Sequence, residues 1–232
     1  PPVLPTPEGL DLCGVFHPSR EGQDVSGDFY DVFPAGRSDL MLALGDVCGK
    51  RAEAAAITAI ARHTIRAVAP DLRSPAHILR RLNDTMLGHD IDERFCTVVL
   101  ARVTRIVDGV RLSVCTAGHL QPVVVRADGR VERVGLPGSL LGLFPDIRLL
   151  EETVQLRRGD MIVAFTDGVT EARDGDEQFG DQRTEKLLAA SAGLSATETA
   201  GILLDEVLRF AGTSARDDIA ILVLRVPPPP PA

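Results

Sequence analysis

The chain has 232 residues, 44% of them hydrophobic, and a formal net charge of −8. That length and apolar share fit one sizeable domain with its own core, while the acidic balance excludes nucleic acid as a partner, because phosphate backbones are held by clustered Lys and Arg. No apolar run reaches the roughly 20 residues a bilayer crossing needs, and the Pro-rich start is not a signal peptide, so a soluble chain with no membrane partner is expected.

Residues 1–9 read as a Pro-rich linker, with four prolines in the first seven positions. A single domain is expected over 10–226, followed by a flexible Pro-rich tail over 227–232. Such ends suggest a domain cut from a longer protein. Residues 10–16, 28–33 and 40–44 are strand-like. A helix is predicted over 50–69, with Ile57, Ile60, Ala61, Thr64 and Val68 at helical spacing. Ser74 and Pro75 supply a cap and a first-turn proline for a second helix, whose stripe is Ile78, Leu79, Leu82 and Met86. Strands over 95–103 and 110–116 flank Asp108-Gly109, and strands over 122–126 and 130–134 flank Asp128-Gly129, both hairpin signals. Residues 161–165 and 219–226 are apolar runs that read as buried strands. Ser195 and Glu198 form a capping box ahead of a long helix predicted to bury Ile202, Leu203, Val207 and Phe210. The order of elements implies an α+β protein, with antiparallel sheets covered by segregated helices.

With no Trp and one Tyr, the core must be built from Ala, Val, Leu and Ile. Cys13, Cys48, Cys96 and Cys115 form no Cys-x-x-Cys pair and no zinc-like spacing. They read as buried free thiols in a reduced, cytoplasmic protein.

Acidic residues stand where apolar runs end. Asp28 opens one strand and Asp46 closes another, Asp167 follows 161–165, and Asp217 and Asp218 precede the last strand. Taken singly, Asp167-Gly168 reads as a turn, Asp46 as a helix start, Asp28 as a solvent-facing edge, and Asp217-Asp218 as a polar entry to a strand. Taken together, they supply an all-oxygen cage suited to hard divalent cations, since an unpaired buried carboxylate is otherwise costly.

The flanking residues sharpen this. Ser26-Gly27-Asp28-Phe29-Tyr30-Asp31, Gly45-Asp46-Val47-Cys48-Gly49-Lys50, Ala117-Gly118-His119, Gly159-Asp160, Thr166-Asp167-Gly168-Val169-Thr170-Glu171-Ala172, Phe179-Gly180 and Arg216-Asp217-Asp218-Ile219-Ala220 occur in that order. The series, from about 10 to 226, resembles the bacterial metal-dependent serine/threonine phosphatases of the SpoIIE/RsbU type, a branch of the PPM phosphatases. The resemblance implies a four-layer α-β-β-α sandwich of two antiparallel sheets flanked by helices, with the metal site at one end between the sheets. It also implies two Mn²⁺ or Mg²⁺ ions bridged by Asp46. Asp28 and the Val47 carbonyl would serve the second ion and Asp167 and Asp217 the first, with Asp46 and Asp167 as the catalytic pair. A metal-bridging hydroxide would then attack a phosphoserine or phosphothreonine.

By the same resemblance, the substrate is a phosphorylated anti-sigma-factor antagonist of the STAS type. An upstream sensor domain in the full-length protein and a homodimer are further implied partners. Asp217 is preferred to Asp218 because the Arg-Asp pair is where the family's last ligand falls, and neighbouring strand residues face opposite ways. Cys48 stands where some PPM relatives carry a general-acid histidine, and it reads here as a small buried thiol. His119 is either a proton donor or a loop histidine bonded to backbone. Lys50 and Arg51 replace a common His-Gly, and Ser26 a common Gly. The competing reading is a catalytically silent scaffold, against which the retained acids weigh. A nucleotide-binding loop at 45–50 lacks the glycine spacing and the Ser or Thr after Lys.

Overall fold

Strands that are apolar on both faces need cover on both faces, and that requirement sets the layering here. The computed structural model describes residues 4–5, 7–19, 27–36, 38–49, 51–89, 94–212 and 217–228, without the side chains of Arg51 and Ala52. Ser26, Lys50 and Arg216 of the motifs lie outside the described residues, as do parts of both Pro-rich ends.

The elements are β1 (Asp11–His17), β2 (Phe29–Pro34), β3 (Asp39–Val47), α1 (Arg51–Val68), α2 (Pro75–Leu87), β4 (Cys96–Ile106), β5 (Gly109–Ala117), β6 (Val123–Val125), β7 (Val131–Arg133), β8 (Glu151–Arg157), β9 (Met161–Phe165), α3 (Asp167–Thr170), β10 (Arg173–Asp174), β11 (Glu177–Gln178), α4 (Gly180–Ala190), α5 (Ala196–Ala211) and β12 (Ile219–Arg225). One five-stranded sheet runs β2-β3-β4-β5-β8, the other β1-β12-β9-β6-β7, and β10-β11 is a separate ribbon. Every strand pair is antiparallel.

The core divides into three apolar layers. Met41, Ala43, Val98 and Leu100 pack under α1 and α2. Leu42, Leu44, Val99 and Ala101 meet Ile162, Leu222 and Leu224 between the sheets. Val163, Phe165, Ile221 and Val223 pack under α4 and α5. This is the four-layer α-β-β-α sandwich that the resemblance implies.

Local signals account for most element ends. The Ser74 hydroxyl accepts the His77 N–H at 3.1 Å, and the Ser195–Glu198 capping box is complete. Both hairpins form, with Ile106 facing Gly109 and Val125 facing Val131. Two apolar stripes differ from expectation. On α1 the buried line is Ala54, Ile57, Ala61 and Ile65, while Ile60 and Thr64 are half-buried. On α5 the buried line is Ala196, Ala200, Leu203, Val207 and Ala211, and Ile202 is exposed. In each case the buried set follows the i, i+3/i+4 row that faces the sheet, and the misplaced residues sit one step around the helix.

Two buried charges fasten the helix pair to its sheet. Asp31 accepts Arg66 Nε and Nη2 at 2.6 and 2.7 Å, tying α1 to β2, and the Arg66 guanidinium lies 4.7 Å from the Phe33 ring centre. Arg102 on β4 is 6% exposed. It donates to the carbonyls of Ala35, Ala69, Leu72 and Arg73 and to Asp39 Oδ2, at 2.7–3.1 Å. It therefore saturates the carbonyls where α1 ends and joins them to the β2–β3 turn. Arg102→Met leaves those acceptors and the Asp39 charge uncompensated, and urea denaturation should show a loss of about 3–5 kcal/mol. A loss below about 1 kcal/mol would remove Arg102 from this role.

Candidate metal centre

Side chains alternate along a strand, so the layer that a strand's apolar residues enter also tells where its polar ends point. Tyr30, Val32, Leu42, Leu44, Val99, Ala101, Ile162 and Ala164 face the layer between the sheets. Stepping by two from them reaches Asp28, Asp46, Thr97 and Thr166, all at the rim of that layer. Asp46 faces Thr97 in register. Across the layer, Thr166 Oγ1 donates to Asp28 Oδ2 at 2.7 Å and accepts the Ala220 N–H at 2.9 Å. Asp167 follows directly and begins the single turn of α3, so it starts a helix instead of forming a simple turn.

Gly27 makes the approach of the Asp28 and Asp46 segments possible. The Val47 N–H donates to the Gly27 carbonyl at 3.2 Å. A Cβ on Gly27 would stand 2.3 Å from the Val47 carbonyl oxygen and 2.8 Å from Asp46 Oδ1. Gly49, at φ +125°, takes the left-handed turn that carries the chain from this loop into α1. Cys48 is exposed, a correction to the buried thiol expected from sequence. The β3–β4 ladder ends at Val47, and the Cys48 N–H still reaches the Phe95 carbonyl at 2.9 Å. Its side chain therefore has no layer to enter.

Asp217 is exposed and Asp218 half-buried, just ahead of β12. Asp218 Oδ1 accepts the Ser19 N–H at 2.7 Å, and the Asp218 N–H donates to Asp217 Oδ1 at 2.9 Å. Asp218 is thus engaged with the loop after β1, whereas the charge of Asp217 is felt by Asp28, Asp46 and Asp167.

The electrostatics record this gathering. Burial, then the charge of Asp46, pushes the Asp28 carboxyl up to about 9, with Asp167 and Asp217 adding to it and the Thr166 hydrogen bond opposing. Burial and the charges of Asp167 and Asp217 push Asp46 up to about 6, against a hydrogen bond with Asp28. Asp167 is raised by burial, then by Asp217 and Glu171. Among the described residues, no group of three or more Asp, Glu, His or Cys side chains already stands in position to hold an ion. The donor chemistry nevertheless fits a hard divalent cation: carboxylates and the Val47 carbonyl, crowded until they resist ionising, are stabilised by positive charge placed among them. Such an ion must draw the ligands inward.

His119 lies beside the acids. Its Nδ1 is 2.8 Å from Thr97 Oγ1 and its Nε2 is 3.3 Å from the Phe165 carbonyl. Burial pushes its pKa down to about 4, so near neutral pH the ring is a neutral imidazole, and both of its nitrogens face partners already. It is the backbone-bonded histidine of the two sequence alternatives. Thr97 is a site residue outside the motifs, and Thr166 and Gly27 lie within them without an assigned role. The strand parity that places the acids would have found both threonines.

A model of the family described as Stage II sporulation protein E (SpoIIE) matches residues 36–227. The chain belongs to the SpoIIE family. It is 26% identical over 251 residues to protein IcfG of Synechocystis sp., covering 97% of this chain and 39% of IcfG. It is 26% identical over 224 residues to the phosphoserine phosphatase RsbU of Bacillus subtilis, covering 96% of this chain and 65% of RsbU. It therefore spans less than two thirds of either relative. The SiaA-PP2C domain of Pseudomonas aeruginosa shares the fold, with a TM-score of 0.77 at 24% identity over 92% of this chain and 85% of that one. The family and the fold are those implied by the motifs.

The raised acids set a pH dependence. Asp28 titrates near 9 in the folded protein and at about 3.9 in an unfolded chain, so between those values the folded state binds more protons. Stability of the metal-free protein should therefore fall as pH rises from about 4 towards 9, and Asp28→Asn should flatten that fall. Melting temperatures of the metal-free proteins across this range check it, and matching slopes in wild type and variant would refute the account.

Proposed function

We propose that this SpoIIE-family domain is a metal-dependent protein phosphatase acting on phosphoserine or phosphothreonine of a regulatory protein. The observation that carries the reading is the meeting of carboxylates from both sheets at one end of the layer between them, in a chain whose family and fold are those of such enzymes. Asp46, half-buried at the end of β3, would hold the Mn²⁺ or Mg²⁺ ions together with Asp28, the Val47 carbonyl, Asp167 and Asp217. When bound, such ions supply a water acidic enough to attack phosphorus near neutral pH and neutralise the phosphate oxygens.

The chain's own residues do the positioning. Thr166 orients Asp28, Gly27 lets the Val47 carbonyl and Asp46 approach, and the Ser19 contact turns Asp218 away and leaves Asp217 for the ion. The local cations also resolve a difficulty of charge, because a chain of net charge −8 needs positive charge where an anionic phosphate is to bind.

Similarity to the phosphoserine phosphatase RsbU supports phosphoserine as the group attacked. The motif resemblance extends the reading to a phosphorylated anti-sigma-factor antagonist of the STAS type as substrate, with an upstream sensor domain, a homodimer, a cytoplasmic setting and a phosphatase unit over 10–226. No described helix is long and apolar enough to cross a membrane.

Hydrolysis of p-nitrophenyl phosphate and of a phosphoserine peptide, with and without Mn²⁺, tests the reading. Turnover should require the metal. Asp46→Ala should reduce it at least about 100-fold, the cost of even a 1 Å misplacement of a reacting group, while the variant folds as well as wild type because a repelling charge is gone. A wild-type protein with neither turnover nor Mn²⁺ binding would be the silent scaffold. Wild-type turnover in Asp46→Ala would remove that residue from the mechanism.

A further inference from the structure

The two sheets stack face to face, and apolar contact between them is non-directional. Such contact sets spacing but not register. Ligands supplied by different sheets need register as well, so a directional link close to the acids matters.

One such link avoids the carboxylates altogether. β5 belongs to one sheet and β6 to the other, and the intervening chain crosses at Gly118 and His119. The crossing is pinned by the Gly118 N–H donating to the Gly138 carbonyl at 3.0 Å and by a bridge between Val98 and Gly118. From there the imidazole reaches both sheets. The Phe165 carbonyl only accepts, so the proton on the ring belongs to Nε2, which donates across 3.3 Å. Nδ1 must then accept from the Thr97 hydroxyl at 2.8 Å. Thr97 is the register partner of Asp46, and Phe165 lies two residues before Asp167 at the end of β9. The path from Asp46 to Asp167 therefore runs through one threonine, one imidazole and one carbonyl. A second polar bridge beside the acids, Thr166 to Asp28, uses a carboxylate that cations would claim. The histidine bridge uses none, so it persists when ions bind.

We propose that His119 is a positioning residue, a strut between the sheets that holds Asp46 and Asp167 at the separation a pair of cations requires. The inference rests on the metal-centre reading and adds to it the part that sets ligand spacing. With both ring nitrogens engaged, His119 acts through its neighbours and does not serve as the general acid.

Calorimetric titration with Mn²⁺, paired with p-nitrophenyl phosphate turnover at saturating Mn²⁺, tests this on wild type, Thr97→Val, Thr97→Ser, His119→Ala and the Thr97→Val/His119→Ala double variant. Thr97→Val and His119→Ala should each weaken Mn²⁺ binding about tenfold, the usual cost of losing an outer partner of a metal site. Turnover should largely recover once Mn²⁺ saturates. Thr97→Ser keeps the hydroxyl and should stay within about twofold of wild type on the same scale. The double variant should bind no more weakly than His119→Ala alone, because the two residues form one link.

Unchanged Mn²⁺ affinity in Thr97→Val and His119→Ala, whatever their melting temperatures, overturns the strut. So does turnover that stays lost at saturating Mn²⁺ with affinity intact, which would mark a proton donor. If His119→Ala does not fold, Thr97→Val against Thr97→Ser decides, since that pair differs chiefly in the hydroxyl. Wild-type protein that binds no Mn²⁺ overturns the metal-centre reading itself, an outcome separate from a failure of the strut alone.

Discussion

Like charges held at the rim of an apolar layer constrain everything else in this fold. Asp28 and Asp46 lie at the ends of strands whose neighbouring side chains enter the layer between the sheets, and Asp167 and Asp217 come to them from the opposite sheet. Burial and mutual repulsion raise the first three. The acids bring no packing benefit, so a folded arrangement that keeps them together must be stabilised elsewhere and is completed by positive charge.

The stabilisation comes from directional bonds around the acids and from charge anchors farther out. Thr166 joins Asp28 to the backbone of β12 through Ala220, and His119 joins the two sheets. On the outer face of the β2–β3–β4 sheet, Arg102 and the Asp31–Arg66 pair fix the C-terminal end of α1, the helix that leaves the Asp46 loop. Rigid elements therefore surround a site whose own members repel one another. This division suits a centre whose ligands must be drawn together by what they bind.

Much of this was legible in the linear chain, for local reasons. The apolar runs that became β9 and β12, the two Asp-Gly hairpins, the Ser74 cap and the Ser195 capping box all depend on interactions a few residues long. Other elements escaped notice because their signal is weak at that range. β8 is an edge strand next to β5 alone, and its Glu151-Glu152-Thr153-Val154-Gln155-Leu156-Arg157 buries only Val154 and Leu156. Charged residues on an open edge are how sheets avoid further pairing, and here they hid the strand. α4 buries only Thr184 and Leu188, too narrow a stripe to announce a helix. Ile202 and Cys48 were expected to be buried and are exposed, because apolar character does not say which side of an element has a neighbour.

The sequence by itself determined the acid motifs, their order, the strand and helix periods and the family they belong to. All of these are carried by residue type at short spacing. Only the tertiary structure decided that Thr166 meets Asp28 across 138 residues of chain, that Asp218 is engaged by Ser19 while the charge of Asp217 reaches the other acids, and that both ring nitrogens of His119 are committed. The reason is physical. Burial, repulsion and hydrogen bonding at the site act between segments that become neighbours only when the sheets stack, and no local propensity records that proximity.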